Sequence, residues 1–155
     1  MNATASLLAD TICRTVELSV TITDAAVAGE FTHLFCAPVT VDPVCNECGT
    51  DGRLRGHVVR EVTDLPIVGH PTRLHIRLPR FTCEDEACTT RIFQQGMPAL
   101  AEPRAKTTRR CSRWFLQRLA IDRTLVAGVA KSLELGWDLV NDLAISKVRT
   151  MVYDQ

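Results

Sequence analysis

Apolar residues change their spacing along this chain, and the changes divide it into segments. Ala3 to Cys13 has a short helical pattern, and in "VELSVTIT" Val16, Leu18, Val20 and Ile22 alternate with polar residues as in a half-buried strand. "HLFCAPVTV" is a second apolar run. "RLRGHVVREV" and "TRLHIRLPRF" predict two more strands, separated by "TDLPIVGHP", whose prolines and glycine predict a loop. In the second of these strands Leu74, Ile76 and Leu78 share a core face, while Arg73, His75 and Arg77 share a face that meets water or an anion. After "FTCEDEACTTRIF" comes the Gly- and Pro-containing "QQGMPALAEPRAK", which predicts a boundary between two modules.

Beyond that boundary the period becomes helical. Trp114, Phe115 and Leu119 lie on one face of a helix near Thr108 to Asp122. Thr124 is placed to cap a second helix, in which Val126, Val129, Ala130 and Leu133 fall at i, i+3, i+4 and i+7. A break at "ELG" puts Glu134 where a turn commonly has glycine. A third helix then starts at Trp137 with Gly136 as its N-cap, and Val140, Leu143, Ala144 and Val148 are expected to point inward. The expected fold is α+β: a small β-rich domain over residues 1–95, whose two close cysteine pairs, Cys45 with Cys48 and Cys83 with Cys88, make it a four-cysteine zinc finger, then a linker over 96–107 and a three-helix helix-turn-helix module over 108–155.

With 155 residues, 46% of them hydrophobic, the chain has enough apolar surface for a core. It has no run of about 18 apolar residues and no basic start with a long apolar stretch, so the expectation is a soluble cytoplasmic protein without a membrane partner or a small-molecule substrate. The formal net charge of zero hides an asymmetry. Arg104, Lys106, Arg109, Arg110, Arg113, Arg118 and Arg123 crowd one segment whose acids are Glu102 and Asp122, which makes a local basic stripe.

Seven cysteines without a secretory signal argue for reduced thiols rather than a disulfide framework. Cys45 and Cys48 are spaced for either thiol exchange or metal binding, and the second close pair, Cys83 and Cys88, favours metal. Two knuckles brought together by the intervening strands supply four thiolates, the donor set of one structural Zn2+. Gly49 after Cys48 suits the tight knuckle. Four cysteine ligands leave no open position for water or substrate, and no His-x-Glu precedes a Cys-x-x-Cys as a zinc deaminase requires. Cys13, Cys36 and Cys111 lie in apolar patterns and are expected to be buried, inert thiols. His33, His57, His70 and His75 lack ligand spacing, although His57 or His75 is an alternative to one weak cysteine ligand.

The ordered set Cys45, Cys48 and Gly49, then Asp64-Leu65-Pro66, then "HIRLPRFTC…C…RIF" and the helices resembles the N-terminal region of the insertion-sequence transposases called ISL-three, from about Leu7 to the end. The resemblance implies that this region recognises the terminal inverted repeats of an insertion sequence in a bacterial, nucleoid-associated setting. It also implies that a separate DDE domain cuts and joins strands. The chain stops at "VRTMVYDQ", directly after the third helix, so the expectation is that the DDE domain is missing and the chain is no enzyme by itself. The consecutive acids Glu84, Asp85 and Glu86 read as a solvated knuckle loop rather than a two-metal site.

For duplex DNA as partner, the third helix would face the major groove with Trp137, Asp138, Asn141, Lys147 and Arg149. Phosphate contacts are expected from Lys106, Arg109, Arg110 and Arg113, and from Arg73, Arg77 and Arg80 on the finger. Homodimerisation is a further expected association. The rival readings are a protein-interaction or dimerisation module and a stand-alone DNA-binding regulator.

Overall fold

The computed structural model describes residues 1–120 and 126–153. Helix α1 (Ala3–Cys13) opens with Asn2 as its cap, whose Oδ1 accepts the Ala5 N–H at 2.8 Å. Asp10 latches this helix to the sheet: its Oδ1 accepts the Thr15 hydroxyl and the Ile22 N–H, and its Oδ2 accepts the Thr21 hydroxyl, each at 2.7 Å. Desolvation raises the Asp10 carboxyl, but the bonds from Thr21, Thr15 and Ile22 outweigh it and hold its pKa below the ordinary value.

The expected strand from Val16 starts later. Thr15–Leu18 forms a 3-10 turn bounded by two left-handed residues, Arg14 at φ 54° and Ser19 at φ 57°. No extended strand passes through such angles, and Val16 is left 79% exposed. Five strands follow: β1 (Val20–Ala28), β2 (Phe31–Pro38), β3 (Arg53–Ile67), β4 (His70–Thr82) and β5 (Ile92–Gln94). They form one sheet in the order β1-β2-β4-β3, with β5 also on β4; β2 and β4 run parallel and the other pairs antiparallel.

"TDLPIVGHP" is not a loop. β3 and β4 run through it, and the turn is Val68 and Gly69, whose φ of 51° and 78° fit a two-residue type I′ connection. Pro66 is tolerated inside β3 because the pairing to β4 is interrupted between Asp64 and Ile67, where a missing N–H breaks no ladder.

One sheet face buries Leu18, Val20, Ile22, Leu34, Val62, Leu74, Ile76 and Leu78, the alternation of β4 among them. Met97, Leu100 and Ala101 complete this core, so the stretch expected to be a linker is packed against the sheet. Its glycine and prolines prevent a long helix, yet its apolar residues still need burial. Polar groups fix it in place: the Arg60 guanidinium donates to the carbonyls of Glu102 and Ala105 at 2.8 and 3.2 Å. Thr63 N–H donates to the Lys106 carbonyl, and Thr108 N–H to the Thr63 carbonyl, each at 2.9 Å.

Helices α2 (Arg109–Ala120), α3 (Val126–Leu133) and α4 (Trp137–Tyr153) surround a second core of Cys111, Phe115, Val129, Ala130, Leu133 and Val140, against which Leu65 of β3 packs. The capping role expected of Thr124, with Asp122 and Arg123, lies outside the described residues. α3 ends in a Schellman turn, in which Leu135 N–H donates to the Ala130 carbonyl at 2.9 Å and Glu134 N–H to that of Lys131 at 3.2 Å. Glu134 takes the left-handed position at φ 50°. Val148, expected inward, is 56% exposed. The eight residues of α3 span only about 12 Å, and α4 is roughly twice as long, so its later turns extend past the packed region.

Candidate metal centre and helical face

The open end of the β3–β4 hairpin carries both cysteine pairs. Before β3, the chain folds back through a short bridge between Val44 and Asp51. Within it, Cys45 N–H donates to the Thr50 carbonyl at 3.0 Å and Gly49 N–H to the Cys45 carbonyl at 2.9 Å. Gly49 has φ 73°, which is the conformation the knuckle needs from a glycine. After β4, Cys83 N–H donates to the Arg91 carbonyl at 2.9 Å and Cys88 N–H to that of Asp85 at 3.1 Å, which closes the second knuckle before β5. Asp85 Oδ1 accepts the Ala87 N–H at 2.9 Å, and Glu84 lies 3.6 Å from Arg53, so these acids belong to the knuckle loop.

The pairs interleave. Cys45 Sγ lies 4.0 Å from Cys88 Sγ, Cys48 Sγ lies 3.5 Å from Cys83 Sγ, and all four ligand atoms lie within 4.8 Å of one another. Sulfurs at about 2.3 Å around a tetrahedral zinc stand about 3.8 Å apart. A disulfide would bring two of them to about 2.05 Å. The four cysteines therefore fit one structural Zn2+, and no histidine joins the group among the described residues. The Thr50 hydroxyl and then the Thr50 backbone lower the Cys48 thiol to about 7. At Cys83 the Asp85 N–H pulls downward, but desolvation and the neighbouring cysteines push the thiol up to about 12. Crowded thiols resist shared ionisation, and a divalent cation at their centre removes that conflict.

Around the knuckles, Phe81 of β4 and Phe93 of β5 stack with ring centroids 5.4 Å apart. A Cβ at Gly52 would come within 2.8 Å of both Phe81 and Phe93, so the strand entering β3 must be glycine there. The buried Gln95 ties down the approach to Cys45: its amide donates to the Thr40 carbonyl at 2.9 Å and its Oε1 accepts the Asp42 N–H at 3.0 Å. Cys36 and Cys111 are buried and desolvation pushes both thiols up to about 12, while Cys13 is half-buried and raised, again by desolvation.

At the turn end of the same hairpin, Asp64 organises the joint with the helices. It is 2% exposed and accepts both Arg110 Nε, at 2.9 Å, and Arg110 Nη2, in a bidentate pair. The Thr108 hydroxyl donates to Asp64 Oδ1 at 2.7 Å and accepts the Cys111 N–H at 3.2 Å, which makes Thr108 the cap of α2. Arg110 also donates to the Arg14 carbonyl at 3.0 Å. Desolvation lowers the Arg110 pKa, but its bonds to Asp64 outweigh this and raise it. Arg73 makes the second tie. Its guanidinium donates to the carbonyls of Leu133 at 3.0 Å and Glu134 at 2.8 Å, capping the negative end of α3.

Two arginines expected to contact phosphate, Arg73 and Arg110, are thus engaged inside the protein. Their charged ends find carbonyls and a carboxylate, whose partners lie far away in the sequence. The other basic residues stay outside. Arg77, Lys106, Arg109, Arg113 and Arg149 are exposed; Arg80 and Lys147 are half-buried. Arg109 donates to the Pro98 carbonyl at 2.6 Å, and both Arg109 and Lys147 reach Glu102, at 3.4 and 3.2 Å. A cavity of about 400 Å³ between α2, α4 and the 96–107 segment is lined by Arg109, Arg110, Arg113 and Lys147 with Glu17 and Glu102. On α4, Trp137 and Asp138 are exposed and Asn141 is half-buried.

No helix among the described residues is long and apolar enough to cross a membrane. No curated protein and no solved structure matches the chain. Residues 42–88, which hold both knuckles and the hairpin between them, match the family described as zinc-finger of transposase IS204/IS1001/IS1096/IS1165.

Proposed function

We propose that this protein binds duplex DNA as the recognition part of a transposase, with the terminal inverted repeats of an insertion sequence as its target. The observation that carries the reading is the transposase zinc-finger match over residues 42–88, whose four cysteines converge at one point. In this reading the zinc is structural and the DNA lies against the helices. α3 and α4 act as a helix-turn-helix, with Trp137, Asp138 and Asn141 at base edges and Arg149 further along. Lys106, Arg109 and Arg113 hold phosphates, together with Arg77 and Arg80 on the finger. Arg73 and Arg110 act indirectly, by fixing the helices on the sheet. Strand cleavage belongs to a DDE domain outside these residues, and the setting is the bacterial nucleoid.

Selection of bound duplexes from a random pool by the zinc-loaded protein, at moderate salt, tests the reading. One enriched motif that matches the ends of a mobile element supports it. Recovery without enrichment removes the sequence-specific part. No recovery, combined with self-association on a sizing column, replaces it with an interaction module.

A further inference from the structure

Helix α1 turns its large apolar side chains outward. The residues it packs against the main core are small, Ala9 and Cys13, and none of its residues is fully buried. Leu7, Leu8 and Ile12 lie on the other side and are 68, 60 and 69% exposed. Thr4 and Thr11 share that side at helical spacing, so the outer half of the helix carries no charge. Thr11 donates its hydroxyl to the Leu7 carbonyl at 2.7 Å, and the one acid of the helix, Asp10, is engaged by Thr15, Thr21 and Ile22. A surface helix ordinarily presents polar residues to water; this one presents an uncovered apolar ridge. Alongside it runs a groove of about 510 Å³ between α1, the 3-10 turn and the start of β1, walled by Leu7, Val16 and Val39. Val16 and Val39 are themselves exposed, and both also border an adjoining depression that reaches Met97 and Pro98.

We propose that a second copy of this chain covers this surface, with the α1 ridge of each copy lying in the groove of the other about a two-fold axis. A ridge and a groove side by side are self-complementary under such an axis, because the same patch supplies both halves of the contact. Charge permits the pairing. Two identical faces repel wherever they bring like charges together, but the ridge has none, and at the rim Arg14 and Glu17 already neutralise each other at 2.8 Å. Area sets the strength. Leu7, Leu8, Ile12, Val16 and Val39 at these exposures offer roughly 200–400 Å² of apolar surface per copy. With a polar rim the two copies bury on the order of 1,000 Å² in total, the size of a reversible dimer rather than a permanent one. Such a dimer needs no DNA, so it stands or falls separately from the proposed function.

Sedimentation equilibrium of the zinc-loaded protein without DNA, over concentrations from about 1 µM to about 500 µM, tests it. The parent should pass from the 17.2 kDa monomer toward twice that mass. Leu8→Glu on the ridge and Val39→Lys in the groove should each weaken association by about tenfold or more. Both positions are exposed, so melting at the lowest concentration should match the parent's. An equimolar mixture of the two variants should recover dimers, because the glutamate ridge of one meets the lysine groove of the other. A parent that stays monomeric throughout would overturn the proposal and leave the face to a different protein. Dimers that persist unchanged in both variants would place the interface elsewhere, and a mixture that stays monomeric would overturn the seating of ridge in groove.

Discussion

The β3–β4 hairpin is fastened at both ends, and the two fastenings differ in kind. At the open end four thiols converge for one metal ion, and the surrounding bonds are short-range turns such as Gly49 to Cys45. At the turn end Asp64, Arg110, Thr108 and Arg73 join three segments that are far apart in the chain. The metal end has few large apolar side chains beneath it beyond the Phe81–Phe93 pair. The turn end lies against a second core built on Phe115 and Leu133. The difference teaches where each end is vulnerable: one depends on an ion, the other on a buried charge having its partner.

The largest effect should come from removing a ligand. Cys48→Ser is expected to lose zinc and melt the knuckles, because apparent binding energies of roughly 10–16 kcal/mol support such sites. Metal content by mass spectrometry and thermal melting measure it; unchanged zinc and melting would count against the site. Next is the buried pair: Asp64→Ala removes the bidentate partner of Arg110, leaving it the Glu17 carboxylate at 3.8 Å, and should cost about 3 kcal/mol in chemical denaturation. The same change combined with Arg110→Met should recover much of that loss, and a double variant no better than the single one would show that the pair is not the fastening. Gly52→Ala meets Phe81 and Phe93 and should cost about 1–3 kcal/mol while leaving zinc stoichiometry intact. The smallest effect is a gain. Glu134→Gly relieves a left-handed side chain and should raise stability by up to about 1 kcal/mol; a loss would show that Glu134 makes a contact that outweighs its strain.

These ends also differ in how far residues alone reveal them. Cysteine pairs announce a metal site because few other arrangements need that residue type at that spacing, and Gly49 marks its turn locally. The alternation of Leu74, Ile76 and Leu78 shows the core face for the same local reason. An arginine is different. Arg109 and Arg110 are neighbours in one basic stripe, yet Arg109 is exposed and Arg110 is buried against a carboxylate 46 residues away. No local pattern separates them. The segment 96–107 misleads in the opposite sense, since its prolines and glycine signal irregular backbone, and irregular backbone can still carry core residues such as Leu100. The ring contacts between β2 and β4 were hidden because His33 and Phe35 meet His75, and Phe31 meets Arg73, only through parallel pairing of the two strands.

The most direct test is native-state amide hydrogen exchange of the protein with zinc and after chelation. If the two ends are fastened independently, chelation should strip protection from the amides of Cys45, Gly49, Gly52 and Cys83, while those of Thr63, Thr108 and Leu135 keep theirs. Equal loss at both ends, or knuckle amides indifferent to chelation, would contradict it.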